Sequence, residues 1–120
     1  METPIIKYRQ YVIVPKKPKM SKGKIASQVA HSTFMALENQ KNPDLIEAWK
    51  KEGMCVIVLQ CASPIELFGI DKYLEQWGIP HHLYIDEGLT EVNMGTPTSL
   101  ATGILTAEQF WMLQTMRLLK

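Results

Sequence analysis

The sequence predicts an α/β chain: one three-layer sandwich, with a four-stranded mixed sheet carrying helices on both faces, in the order β-α-α-β-α-β-β-α. Three observations lead there. Apolar, β-branched runs of strand length alternate with stretches of helical periodicity. Capping residues stand in front of the helical stretches. The links between the first three strands are long enough to hold helices, which makes those strands parallel, whereas the direct β3–β4 link makes an antiparallel pair. With 120 residues, the chain is expected to form one domain over 1–120 around one modest core.

Tyr8–Val14 is apolar and stops at Pro15, a first strand. Ser21 is an N-cap for a helix to about Asn39, with Gly23 a mild cost in its first turn. Asn42 and Pro43 open a short helix that ends near Gly53. Met54–Cys61 is a continuous apolar run, expected of a strand buried on both faces. Ser63, Pro64 and Glu66 form a capping box for the third helix, with Leu67, Ile70, Leu74 and Trp77 along one side and Gly78 at its end. His81–Ile85 is the third strand, 86–97 a polar loop, and Thr98–Leu105 the fourth strand. Thr106 and Gln109 cap a last helix that is apolar on more than one side at Phe110, Trp111, Met112, Leu113 and Met116. That surplus serves a subunit interface or additional core packing. Trp49, Trp77 and Trp111 sit at helical positions and read as packing anchors.

The composition is that of a folded protein, with 46% hydrophobic and 21% charged residues. No apolar run approaches the length of a membrane span, and Met1–Lys7 lacks a signal-peptide core. Cys55 and Cys61, six positions apart in one strand, lie roughly 20 Å from each other at ~3.3 Å per residue, too far for a disulfide. The expectation is a cytoplasmic protein with reduced thiols. The net charge of +1 hides an asymmetry: residues 1–24 carry seven Lys and Arg against Glu2, hence +6, and the remainder carries −5. Five of those cations fall in Lys16–Lys24, either a solvated loop or an anion footprint.

The helix on which the run ends favours the footprint. On a helix wheel Lys24, Gln28 and His31 fall at about 0°, 40° and −20°, one polar stripe, while Ile25, Ala26, Val29, Ala30 and Phe34 supply the surface for the sheet. Lys22 and Lys24 lie in the first turn, where the helix dipole disfavours cations by a few tenths of a kcal/mol and where free N–H groups favour an anion. His31 is able to titrate near neutral pH. Across the fold, Asp86-Glu87-Gly88-Leu89-Thr90 ends a strand and Gly95-Thr96-Pro97-Thr98 starts the next, a usual place for chemistry in α/β proteins and equally a usual composition for turns. His81 and His82 are adjacent on a strand and face opposite ways, and neither cysteine has a metal-ligand spacing, so no metal is expected.

Three segments, in order, resemble a known family. Lys22-Gly23-Lys24-Ile25-Ala26-Ser27-Gln28-Val29-Ala30-His31 is similar to the GK-x-A-x-Q-x-x-H helix start of the second, archaeal and eukaryotic, type of peptidyl-tRNA hydrolase (PTH2). Asp86–Thr90 resembles its D-x-G-x-T segment, and Gly95–Thr98 its G-[ST]-x-T segment, within a similarity from about Tyr8 to Leu119. The chain departs from the pattern at Pro15-Lys16-Lys17-Pro18, at Glu87 and at Leu89.

The resemblance implies hydrolysis of the ester between a peptide and the 3′ ribose of tRNA, by a homodimer that needs no metal or cofactor. It places Lys24, Gln28, Asp86, Thr90 and Thr98 in catalysis or substrate binding, with His31 close by. Joined to the reading of the residues, Lys19, Lys22 and Thr96 help hold the substrate. Asp86 with Lys24 activates a water, and Thr98 supports the oxyanion. Two other readings stay open: a non-catalytic module of the same fold that binds tRNA or a protein, and a hydrolase for a different small ester or amide.

Overall fold

The computed structural model describes residues 6–87 and 95–120. The elements run β1 (Gln10–Pro15), α1 (Lys22–Asn39), α2 (Pro43–Glu52), β2 (Val56–Cys61), α3 (Pro64–Gln76), β3 (His81–Ile85), β4 (Pro97–Thr102), α4 (Ala107–Phe110) and a 3₁₀ turn at Leu113–Thr115. Each long helix starts as its cap residues dictate. Ser21 Oγ accepts from Lys24 N, Asn42 Oδ1 from Asp44 N, and Ser63 Oγ from Glu66 N, each worth about 1 kcal/mol. Gly53 closes α2 in the left-handed region at φ 115°, a conformation in which a Cβ would be strained.

The sheet order is β2-β1-β4-β3. β1 and β2 are parallel, and β4 runs antiparallel to both β1 and β3. The alternation of β1 divides the core in two. Tyr11 and Ile13 point to one face, with Leu59, Leu67, Leu74 and Leu100. Val12 and Val14 point to the other, with Met20, Ala36, Ala101 and the half-buried Ile25 and Val29. Thus α3 covers the first face and α1 the second, the three-layer arrangement that the sequence implies.

Several expectations need correction. The face that α1 buries is Gln28, Ser32 and Ala36; Ala26, Ala30 and Phe34 lie on its outer side and are exposed. Small side chains on that face let α1 sit close to β4, where Ser99 Oγ donates to Gln28 O at 2.8 Å. β2 is an outer strand of the sheet, and Val56 at its start is 44% exposed. Of the three tryptophans only Trp49 is buried, its Nε1 donating to Cys55 O at 2.9 Å; Trp77 and Trp111 are exposed.

The last helix is one turn long. Phe110 and Leu113 join the core, Phe110 meeting Tyr11 with ring centroids 5.9 Å apart. The chain then turns back along β2, where Leu118 bridges Leu59, Gln60 N donates to Arg117 O at 2.9 Å and Leu119 N to Val58 O at 3.0 Å. A straight helix through Met116 cannot both bury Phe110 and Leu113 and bring 117–119 beside β2. The apolar surplus of this segment goes partly into core packing.

Candidate active site

The site forms where the start of α1 meets the end of β3 and the start of β4. No acidic residue stands in the first turn of α1, so Lys22 and Lys24 add to the positive end of the helix dipole. Lys24 has a partner across the fold: its Nζ lies 2.6 Å from Asp86 Oδ1, with the two side chains only 9% and 5% exposed. An ion pair so far from water is strong in Coulomb terms and expensive in desolvation, so geometry decides its net value.

Asp86 is held from both sides of its peptide. Its N–H donates to Thr96 O at 2.9 Å, and its carbonyl accepts from Gly95 N at 2.9 Å. Gly95 has φ +85°, a conformation that glycine adopts without strain. These two bonds tie Asp86 to the residues that lead into β4. Thr90, Gly88 and Leu89 lie outside the described residues.

The start of β4 brings the second pair. Tyr84 is opposite Ser99 while Ile85 is opposite Pro97, which leaves Thr98 as the additional residue of a β-bulge. Bulges re-aim side chains, and here Thr98 and Ser99 both reach Gln28. The Thr98 hydroxyl donates to Gln28 Oε1, and the Ser99 hydroxyl to Gln28 O. Gln28 is buried by this contact, and its Nε2 donates no hydrogen bond to a described residue. The proton of Thr98 is therefore spent on Gln28, and the amide N–H₂ of Gln28 is the donor group left for a ligand.

His31 sits two turns along α1 from Lys24. Its ring stacks on Tyr84, centroids 4.7 Å apart and planes within 4°. Asn39 Nδ2 is 3.4 Å from His82 Nδ1. Lys24–Asp86, His31–Tyr84 and Asn39–His82 are thus three successive rungs between α1 and one face of β3. The structure brings Lys24, Gln28, Asp86 and Thr98 together, holds His31 on the next rung, and leaves Lys19 and Lys22 exposed before and at the start of α1. Thr96 contributes its carbonyl to the backbone bond from Asp86. Tyr84 and Ser99 are additions that the sequence reading missed. The alternation His82, Tyr84, Asp86 was a signal for the first; for Ser99 the bulge left no sequence signal beyond Pro97.

The other histidine of the pair on β3 turns away. His81 Nε2 lies 2.9 Å from Asp71 Oδ1, and its Nδ1 lies 2.7 Å from Ile79 O. Among the described residues no three His, Cys, Asp or Glu side chains gather as a metal site would need, and no described helix is long and apolar enough to cross a membrane.

The chain is similar to known proteins over most of its length. The family described as Peptidyl-tRNA hydrolase PTH2 matches residues 8–114. A peptidyl-tRNA hydrolase of Thermococcus onnurineus is 42% identical over 101 residues, covering 82% of this chain and 86% of that protein. One of Methanopyrus kandleri is 37% identical over 97 residues, covering 80% and 84%. One of Methanothermobacter thermautotrophicus is 34% identical over 95 residues, covering 79% and 84%.

Proposed function

The chain belongs to the peptidyl-tRNA hydrolase PTH2 family and is an enzyme of that class, and from this premise we propose how its side chains divide the work of cleaving the ester between peptide and tRNA. The observation that carries the proposal is the secluded Lys24–Asp86 pair beside Gln28 at the positive start of α1. Asp86 takes a proton from the attacking water, and Lys24 holds the carboxylate in place. Gln28, through its Nε2, donates to the ester carbonyl as it becomes an oxyanion, a role worth about 3 kcal/mol where such donors are removed. Thr98 positions Gln28 by donating to Oε1; this replaces the direct oxyanion contact expected from the sequence.

Lys19 and Lys22 attract the phosphates near the 3′ end, Thr90 and Thr96 border the substrate, and His31 with Tyr84 offers a ring surface beside it. The route uses side chains and water alone, with no metal or cofactor, and we place it in the cytoplasm, where translation generates the substrate. We also propose a homodimer. Ile65, Phe68 and Trp111 are exposed next to an apolar groove between α3 and the C-terminal segment, lined by Ile70, Tyr73, Met112 and Met116. Sedimentation of the free protein checks that assignment, and a monomer at tens of micromolar refutes it.

The catalytic proposal is tested by peptide release from peptidyl-tRNA and from a short peptidyl ester. Turnover of peptidyl-tRNA that collapses in Lys24→Ala and Asp86→Ala supports it. Unchanged rates in both variants sink the site. Salt-dependent tRNA binding without turnover favours a binding module instead, and equal turnover of the short ester favours a different hydrolase.

A further inference from the structure

The C-terminal segment places cations that the sequence keeps far from the leading basic run. Lys16 N donates to Cys61 O at 2.8 Å and Gln60 N to Arg117 O at 2.9 Å, so Lys16, Gln60 and Arg117 stand abreast on three neighbouring stretches of backbone. Two adjoining hollows, of about 360 Å³ and 520 Å³, are both lined by these three residues, and the second also by Leu118 and Lys120. Lys16, Arg117 and Lys120 are exposed, and none of them pairs with an acid among the described residues. The acid at the rim, Glu66, is engaged: its Oε2 accepts from Ala62 N at 2.7 Å.

The groove opens at the same end of the sheet as the catalytic pair. Val14 opposite Gln60 sets Gln60 on the face that α1 covers. The exposed Lys17, Lys19 and Lys22 then lead from the groove to the start of α1. These exposed cations succeed one another along the chain between the groove and α1.

We infer that Lys16, Arg117 and Lys120 form a second anion site, which holds backbone phosphates of the helical acceptor stem while Asp86 and Lys24 act at the 3′ end. The inference rests on the hydrolase reading above and extends it to a part of the substrate distant from the ester. At ~4.8 Å per strand, the four steps from the C-terminal segment to β3 amount to about 19 Å. At ~3.4 Å per stacked nucleotide, that is roughly five or six nucleotides. A three-nucleotide 3′ fragment is too short to reach the groove.

The test uses the double variant R117Q/K120Q, with R117K/K120R as the charge-conserving control. At ~0.15 M salt each phosphate contact contributes about fivefold. Affinity of R117Q/K120Q for deacylated tRNA is therefore expected to fall roughly 10- to 30-fold, its log–log salt slope to become shallower by about 2, and the control to keep both. With peptidyl-tRNA, KM rises and kcat is kept; with a peptidyl ester of a 3′-terminal trinucleotide, both are kept. Unchanged tRNA affinity and salt slope overturn the groove, and so does an equal loss on the trinucleotide substrate. Deacylated tRNA needs no turnover, so the two ideas separate. A wild-type protein that binds tRNA through the groove and cleaves neither substrate refutes the hydrolase reading and leaves the groove standing.

Discussion

The Lys24–Asp86 pair allows catalysis and folding to be pulled apart. With the side chains 9% and 5% exposed, removing one partner takes the ion-pair counterpart from the other charge in a place with little water. For pairs this secluded the loss is about 3 kcal/mol. At roughly 4 °C per kcal/mol for a domain of this size, Lys24→Met and Asp86→Asn should each lower the melting temperature by about 12 °C. Removing both charges eliminates the unbalanced ion, so Lys24→Met/Asp86→Asn should return to within about 1 kcal/mol of wild type. Activity should behave otherwise. If Asp86 is the base, peptide release falls by a factor of about 10² to 10⁴ in every variant lacking it, including the double variant that folds well. Urea denaturation measures the stability, and peptide release is followed below the melting range of all four proteins. Recovery of activity together with stability in the double variant would refute a catalytic role and leave the pair purely structural.

Three further predictions concern single features. Thr98→Val keeps the shape and deletes the hydroxyl that donates to Gln28; it should lower kcat by at least tenfold and stability by about 1–3 kcal/mol, with Thr98→Ser restoring both. A Cβ on Gly103 would lie 2.7 Å from Gln40 Oε1, the atom that accepts from Ile104 N at 2.6 Å; Gly103→Ala should therefore cost about 2 kcal/mol in denaturant unfolding, as a crowded core with a displaced hydrogen bond does. Burial, then the charge of Glu66, pushes the Cys61 thiol up to about 11, leaving roughly one part in a thousand as thiolate at pH 8. In the native protein iodoacetamide should thus modify Cys55 first, and comparable labelling of both in mass spectra would contradict the burial of Cys61.

The elements that were legible in the sequence are those whose signals are local. Ser21, Asn42 and Ser63 announce their helices because a cap and the N–H groups it serves lie within three residues of each other. The pairing of Lys24 with Asp86 spans 62 positions; neither spacing nor propensity implies it, and only the family resemblance brought the two together beforehand. The final segment misled for a related reason. Thr106 and Gln109 are good start signals, but how far a helix continues depends on what its apolar side chains find, and Leu118 finds β2. The helical wheel of α1 misplaced its buried face by about one residue step, because a sheet that presents Ser99 and Ala101 accepts Gln28, Ser32 and Ala36 more closely than it accepts Phe34. The shift of Thr98 onto Gln28 depends on a bulge, which is a matter of pairing between strands.

The return of Arg117–Leu119 along β2 has a consequence for how the protein survives at high concentration. An outer strand with a half-exposed start offers unpaired N–H and C=O groups to any other extended chain. Here Gln60 N and Val58 O are already taken by the same polypeptide, so the molecule completes its own sheet on that side and presents no ready template for growth. Shortening the chain by its last four residues would free those groups, and the expected symptom is ordered, edge-to-edge polymerisation of folded molecules.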